Sequence, residues 1–360
     1  MYLRTLFIAC GVAACLVVPS ALAGPMDDAQ VAYDRNDYAT AVEIYRSWAE
    51  LGDTTAQTNL AIMYIRGRGV VQSDVEAFKW FSRAALQGNP KAQLNLGRFY
   101  ETGTGVAKNY SEAVKWYRQA ADQGDSEAQN NLGSMFSWGR GVPVDYGEAL
   151  KWFRKSAEQG NMVGQYNVGH SYYLGQGTTQ NFADAFTLLR KAADQGSPEA
   201  QSMVGVMYLK GEGVSQDYPE ALKWFHKAAA QGLALGHHNV GVCYDEGKGV
   251  PQNTVEAIKW YRQAAELGSV RGMAALGLKY QYGDGVSQDF LLAHMWYDIA
   301  AWPAAGAPSE DSNIDKVVQV QRELLSKKMK TDQIAEAERL AKEWIAKHPK
   351  IESGFDDVKN

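Results

Sequence analysis

The chain has 360 residues, 46% of them hydrophobic, with 36 Lys and Arg against 41 Asp and Glu, for a net charge of −5. A mildly acidic chain without a basic block excludes nucleic acid and anionic membrane as electrostatically recruited partners. Three cysteines are too few for a disulfide framework.

At the N-terminus, Arg4 is the only charge before Asp27, and Leu6 to Val18 is almost entirely apolar. Pro19-Ser20-Ala21-Leu22-Ala23-Gly24 follows. A short basic region, an apolar core and a small-x-small site predict a signal peptide over residues 1–23, cleaved after Ala23. The run is too short for a membrane span and no comparable one occurs later, so no stable span is expected after cleavage. The expected destination is the periplasm or the exterior. Val12-Ala13-Ala14-Cys15 weakly resembles a lipoprotein processing site. Lipidation at Cys15 would leave apolar Leu16 to Ala23 as the mature N-terminus, so an outer-membrane lipoprotein organising an envelope complex stands as an alternative. Cys10 and Cys15 fall inside the signal, leaving Cys243 without a disulfide partner. Cleavage removes one base, Arg4, and no acid, giving a net charge of −6.

The rest of the chain is a repeat. Gly52, Gly88, Gly124, Gly160, Gly196, Gly232 and Gly268 are each 36 residues apart. Glycine pairs such as Gly67/Gly69 and Gly103/Gly105 keep the same step through Gly283/Gly285. So do Trp80, Trp116, Trp152, Trp224, Trp260 and Trp296, with Leu188 in the one gap. Seven units run without insertion or deletion, which replaces any domain count drawn from length.

One unit read physically is a helical hairpin. Gly88 suits the left-handed position that ends a helix, Asn89 an N-cap and Pro90 the first helical turn. Ala92, Leu96, Gly97 and Tyr100 recur at helical spacing until Gly103-Thr104-Gly105 stops the helix. Asn109 with Glu112 forms an expected capping box, repeated as Asp145/Glu148, Asn181/Asp184, Asp217/Glu220 and Asn253/Glu256. Ala113, Trp116, Tyr117, Ala120 and Ala121 make the apolar stripe of the second helix. A single hairpin cannot bury that stripe but stacked neighbours can, so the fold class expected is an all-α solenoid of tandem 36-residue hairpins.

Residues 24–52 are expected to form an N-terminal capping hairpin and residues 53–302 the seven repeats. Residues 303–313 form a Pro/Ala/Gly/Ser linker, and residues 314–347 a helical cap with Thr331 capping its second helix. Residues 348–360 are expected to be a mobile tail.

Ala92-Gln93-Leu94-Asn95-Leu96-Gly97, Gly103-Thr104-Gly105-Val106 and Glu112-Ala113-Val114-Lys115-Trp116-Tyr117 closely resemble the Sel-one-like repeat (SLR) family, a branch of the tetratricopeptide-like superfamily. The resemblance spans about Gly52 to Ala301, and the half-unit from Asp27 resembles the same family. It implies a right-handed alpha-alpha superhelix that scaffolds other proteins, with a protein or peptide partner on the concave face. Exported bacterial members of that family serve envelope sensors, polysaccharide or peptidoglycan machinery, or contact host proteins. A cysteine-rich branch is described as penicillin-binding with weak β-lactamase activity, which gives an enzymatic alternative. That branch staples its repeats with paired cysteines, which this chain lacks. The fourth unit departs from the pattern at Leu188 and Thr178.

The arc of each first helix opposite its core residues is free to vary. In the second unit it carries Lys91, Leu94, Arg98 and Glu101. Trp138, Tyr166, His170, Tyr173 and His238 occupy that arc in later units. Aromatic residues with a polar tip and Arg are interface anchors. Arg98, Trp138, Tyr166, His170, Tyr173 and His238 are therefore the expected partner-binding residues, against the plainer reading of packed or scattered surface side chains.

Signals for chemistry are weak, and the chain is expected not to be an enzyme. Gly169-His170-Ser171-Tyr172-Tyr173 starts like a nucleophile elbow but lacks the last glycine and lies in a helical segment. No Ser-x-x-Lys occurs. His237-His238 with Cys243 and Asp245 has metal-ligating residue types. However, adjacent histidines on a helix point about 100° apart, so no metal is expected. The Gly-x-Gly pairs follow helices and read as turns rather than as a dinucleotide fingerprint. No cofactor is expected. The column Asn59, Asn95, Asn131, Asn167 and Asn239 is expected to satisfy loop backbone groups, and Lys79, Lys115, Lys151, Lys223 and Lys259 to be a solvated face.

Overall fold

A computed structural model describes residues 25–302 and 312–348. The expected signal peptide, residues 303–311 of the expected linker and residues 349–360 of the expected tail lie outside the described residues. Among the described residues there are eighteen α-helices and no strand. They begin with α1 (Pro25–Asp34), α2 (Tyr38–Glu50), α3 (Thr54–Arg66), α4 (Asp74–Leu86), α5 (Pro90–Thr102) and α6 (Tyr110–Asp122). Next come α7 (Ser126–Trp138), α8 (Tyr146–Glu158), α9 (Met162–Leu174), α10 (Phe182–Asp194), α11 (Pro198–Lys210) and α12 (Tyr218–Ala230). The last are α13 (Ala234–Glu246), α14 (Thr254–Glu266), α15 (Val270–Tyr282), α16 (Phe290–Ala301), α17 (Ser312–Ser326) and α18 (Thr331–Ala346).

The helices fall into two compact units. One runs to Phe99 and includes residues 103–107, and the other comprises Tyr100–Thr102 and everything from Lys108. In the first unit α1 to α4 pack in sequence, each on the next. In the second unit α7 to α16 do the same, and α17 and α18 close on α16. Each unit is therefore a stack of hairpins, the all-α solenoid arrangement expected from the period.

Both glycines of each pair have a positive φ, for different reasons. Gly175 (φ +71°) ends α9 in the left-handed conformation. Gly177 (φ +70°) lies against the start of α8, where a Cβ would stand 2.2 Å from the Tyr146 carbonyl oxygen. The first glycine stops a helix, and the second lets the loop of one hairpin rest on the backbone of the previous one.

The expected capping boxes form only in half. Asn109, Asp145, Asn181, Asp217 and Asn253 each accept from the backbone N–H three residues on. The carboxylates do not return to the N-cap N–H, because that N–H already donates to a first-helix carbonyl, as Asn109 does to Tyr100 (2.8 Å) and Asp145 to Phe136 (3.0 Å). Glu112, Glu148, Glu220 and Glu256 instead pair with Lys115, Lys151, Lys223 and Lys259 one turn on, at the solvated lysine face. At the C-terminal cap, Lys330 rather than Thr331 is the N-cap residue, and its N–H donates to the Gln333 side chain (3.0 Å).

The core is layered. Phe153, Phe225, Tyr261 and Tyr297, each following a tryptophan, lie against a first-helix glycine. A Cβ on Gly133 would stand 2.6 Å from the Phe153 ring, and one on Gly205 would stand 2.5 Å from Phe225. Three of these tryptophans lie beneath cations: the Arg83 guanidinium is 4.5 Å from the centre of the Trp80 ring, Lys155 Nζ 3.9 Å from that of Trp152 and Lys227 Nζ 3.7 Å from that of Trp224. Complete burial of Trp224 and Phe225 is worth roughly 2–3 kcal/mol each relative to exposure.

A polar ladder runs through this core. Buried Gln129 donates to the Ala121 carbonyl (3.1 Å) and accepts from Gln159 (2.8 Å). Gln57 with Gln87 and Gln201 with Gln231 repeat the rung. Among the described residues the ladder ends at the Gln201–Gln231 rung: His237 and Leu267 stand where the next two glutamines would be, and Met273 takes the following place in the column. Leu233 stands there in place of the polar N-cap, without a side-chain capping bond. The asparagine column does not reach the loops as expected. Asn167 donates to Asn130 (2.7 Å) and Asn239 to Ser202 (3.3 Å), both on the preceding first helix, because neighbouring first helices pack side by side. The C-terminal helices extend the core with Val318, Leu325, Ala337, Ala341 and Ile345, and Trp344 meets Trp296 edge-on at 5.4 Å.

Candidate functional site

The varying arc of the first helices is more covered than periodicity alone suggests. Leu94, Asn130 and Ser202, all on that arc, are buried. A first helix packs on its hairpin partner and on flanking first helices, so only a narrow strip of its circumference stays open. In the second unit that strip widens into a half-open hollow of about 450 Å³. It is lined by the end of α5, by α7 and α9, and by the start of α11.

The hydrogen bond from the Asn167 amide to Asn130 Oδ1 forms part of its lining. Asn131 and Ser134 on α7 and Ser197 at the cap of α11 contribute further polar groups. Trp138 stands at the rim, 60% exposed, with the Arg140 guanidinium 4.7 Å from the centre of its ring. Arg140 is also 3.6 Å from Glu101, which accepts from the Tyr117 hydroxyl (2.6 Å). Val163 is exposed and Met162 half-buried beside it. Glu199, exposed in the first turn of α11, accepts from the Ser197 hydroxyl (3.1 Å).

The six expected partner-binding residues do not form one site. Trp138 and Tyr166 line the same hollow, and His170 adjoins it by stacking on Tyr166 with ring centres 5.7 Å apart. Burial holds the His170 pKa below its usual range, which keeps the ring neutral at pH 7. Tyr173 is committed elsewhere, donating to Glu212 (2.7 Å) while Lys210 donates to its oxygen (3.2 Å). Burial, with Glu212 beside it, raises the Tyr173 pKa. His238 lines a separate hollow with Arg271 and Tyr297, and burial with the nearby Arg271 depresses its pKa to about 4. Arg98 is exposed and belongs to the first unit.

The residues weighed for chemistry resolve plainly. Ser171 is buried within α9 and donates to the Asn167 carbonyl (2.8 Å). His237 lies against Trp260 and His238 against Tyr261, so the adjacent rings face different partners. The Cys243 thiol is buried and its pKa is pushed up to about 11.

Sequence reasoning missed one cluster. On α16, His294 Nδ1 lies 2.8 Å from Asp298 Oδ2, and His294 Nε2 lies 3.0 Å from Ser326 Oγ at the end of α17. Arg322 Nε stands 2.6 Å from the other Asp298 oxygen. The order Ser–His–Asp matches that of a hydrolase triad. However, Ser326 donates to the Arg322 carbonyl (2.8 Å) at a helix C-terminus, whose partial negative charge opposes a developing oxyanion. The cluster instead joins α17 to α16 through buried polar contacts. Its signal in the sequence was His294 and Asp298 one turn apart, but the partners lie across the linker.

A family model described as the Sel1 repeat matches residues 33–53, 54–89, 90–125, 126–161, 163–197, 198–233, 234–269 and 270–301. An exopolysaccharide production negative regulator of Rhizobium leguminosarum bv. viciae is 49% identical over 57 residues, which is 16% of this chain and 21% of that protein. The chain therefore spans about a fifth of the length of the curated relatives it matches. A Sel1 repeat protein from Oxalobacter formigenes is 31% identical with a TM-score of 0.63, over 67% of this chain and 97% of that one. A protective antigen present in uropathogenic Escherichia coli strains, displaying an SLR fold, is 28% identical with a TM-score of 0.49, over 93% of this chain and 86% of that one.

Proposed function

The chain belongs to the Sel1 repeat family, and we propose from that premise that it is an exported scaffold that captures a protein segment in the hollow between α7, α9 and α11. Proteins of this family are generally protein–protein interaction scaffolds and generally not enzymes. One observation carries the choice of site. The exposed Trp138 indole stands over a half-open hollow whose lining alternates amides and hydroxyls with apolar groups, the composition of a recognition groove. Burying an exposed tryptophan is a large gain on binding, because its apolar body is already rigid. Export, to the periplasm or beyond, is supported by the apolar run Leu6–Val18 followed by Ala21-Leu22-Ala23. Replacing Trp138 by Ala, or Tyr166 and His170 together by Ala, is expected to lower partner capture from the native envelope fraction while circular dichroism stays unchanged. Equal capture by all variants would remove the hollow from consideration.

A further inference from the structure

We infer that the segment taken by this groove is an extended peptide carrying a basic side chain, an inference that rests on the groove being the binding site. The charged side chains lining the hollow are both carboxylates, Glu101 and Glu199. Glu101 is already engaged by Tyr117 and Arg140. Glu199 has no cationic partner among the described residues, and its contact is the neutral Ser197 hydroxyl. An exposed carboxylate in a hollow that Trp138 and Tyr166 also line is a seat for an ammonium or guanidinium group, which gains from ring faces within reach. Val163 and Met162 offer apolar surface to the methylene stem of such a side chain.

The second requirement is met by Asn131. Its half-buried amide lines the hollow and has no side-chain partner among the described residues. One amide offers an acceptor and two donors, which match the N–H and C=O of a single residue in an extended chain. Helical segments spend those groups internally, so an extended ligand satisfies Asn131 and a helical one does not. A sugar ring would also use the indole face and the amide, but it leaves the Glu199 charge without a counterpart.

The test uses the mature chain and a positional-scanning library of short synthetic peptides, with pools fixed as Lys, Arg, norleucine or Glu, read by fluorescence anisotropy. The best basic pools should bind about fivefold more tightly than the matching norleucine pools. Glu199→Gln should abolish that margin, and Trp138→Ala should weaken every bound pool. Trp138-dependent binding with no basic preference, or with an acidic one, overturns the inference and leaves the groove standing. Binding that Trp138→Ala does not change, or no peptide binding at all, overturns both. Trp138-dependent retention of chitotetraose in place of peptides assigns the groove to sugars and likewise overturns both.

Discussion

Replacing Gly177 by Ala tests whether the second glycine of each pair exists for contact between hairpins or for local conformation. Three glycines form a graded series. Gly160 has φ +80° and no atom within 4 Å of a Cβ placed on it, so Gly160→Ala carries only the left-handed penalty, about 1–2 kcal/mol. Gly175 has φ +71° and meets Gln180 at 3.2 Å, a small addition because loop residues yield. Gly177 has the same kind of φ, but its Cβ would stand 2.2 Å from the Tyr146 carbonyl oxygen, which is fixed at the start of α8. Reaching ordinary contact requires the loop and α8 to part by about 1 Å, enough to forfeit a quarter to a half of the dispersion energy of the contacts that open. Gly177→Ala should therefore cost about 1–3 kcal/mol beyond Gly160→Ala. Urea unfolding followed by far-UV circular dichroism gives the midpoints, and hydrogen exchange should place the loss in α8 to α10 because repeat stability is local. If Gly177→Ala and Gly160→Ala differ by less than about 0.5 kcal/mol, the close approach has no energetic role and the reasoning fails.

Gln129→Leu should cost about 1–3 kcal/mol, because it leaves the Ala121 carbonyl and the Gln159 amide unpaired. Gln129→Leu with Gln159→Leu should recover part of that in the same unfolding assay, as the paired His237 and Leu267 indicate. His294→Ala should cost about 2 kcal/mol by stripping one partner from buried Asp298, with faster hydrogen exchange confined to α16 to α18. Uniform loss across the second unit would contradict that account. His238 has a depressed pKa of about 4 when folded, so the unfolded chain binds its proton first. Its contribution to stability is constant above about pH 6.5 and falls as pH drops from 6.5 towards 4, by roughly 2 kcal/mol at pH 5. His238→Gln should flatten that part of the stability–pH curve, and an unchanged slope would refute the assignment.

Strict periodicity made the hairpin stack legible, because a step of 36 residues without insertion leaves one way to bury every Ala/Trp stripe. The N-caps, the left-handed glycines and the lysine face were legible too, since each depends on neighbours within a few residues. What failed was pairing across helices. Glu112 and its counterparts looked like capping-box partners, but the N-cap N–H was already spent on Tyr100 and its equivalents in the preceding helix. The buried glutamine ladder was not legible either, because its rungs join residues 30 apart on different helices.

The same division holds for the site. Sequence alone determined that the first helices carry the variable surface and that Trp138, Tyr166 and His170 lie on it, since helical phase places side chains on an arc. Tertiary packing decided how much of that arc stays open. It buried Asn130, tied Tyr173 to Glu212, placed His238 in a different hollow and gathered Asn131, Trp138 and Glu199 around one groove. The reason is physical: helical phase follows from backbone geometry within one helix, whereas exposure and charge pairing depend on which neighbouring helices press against it.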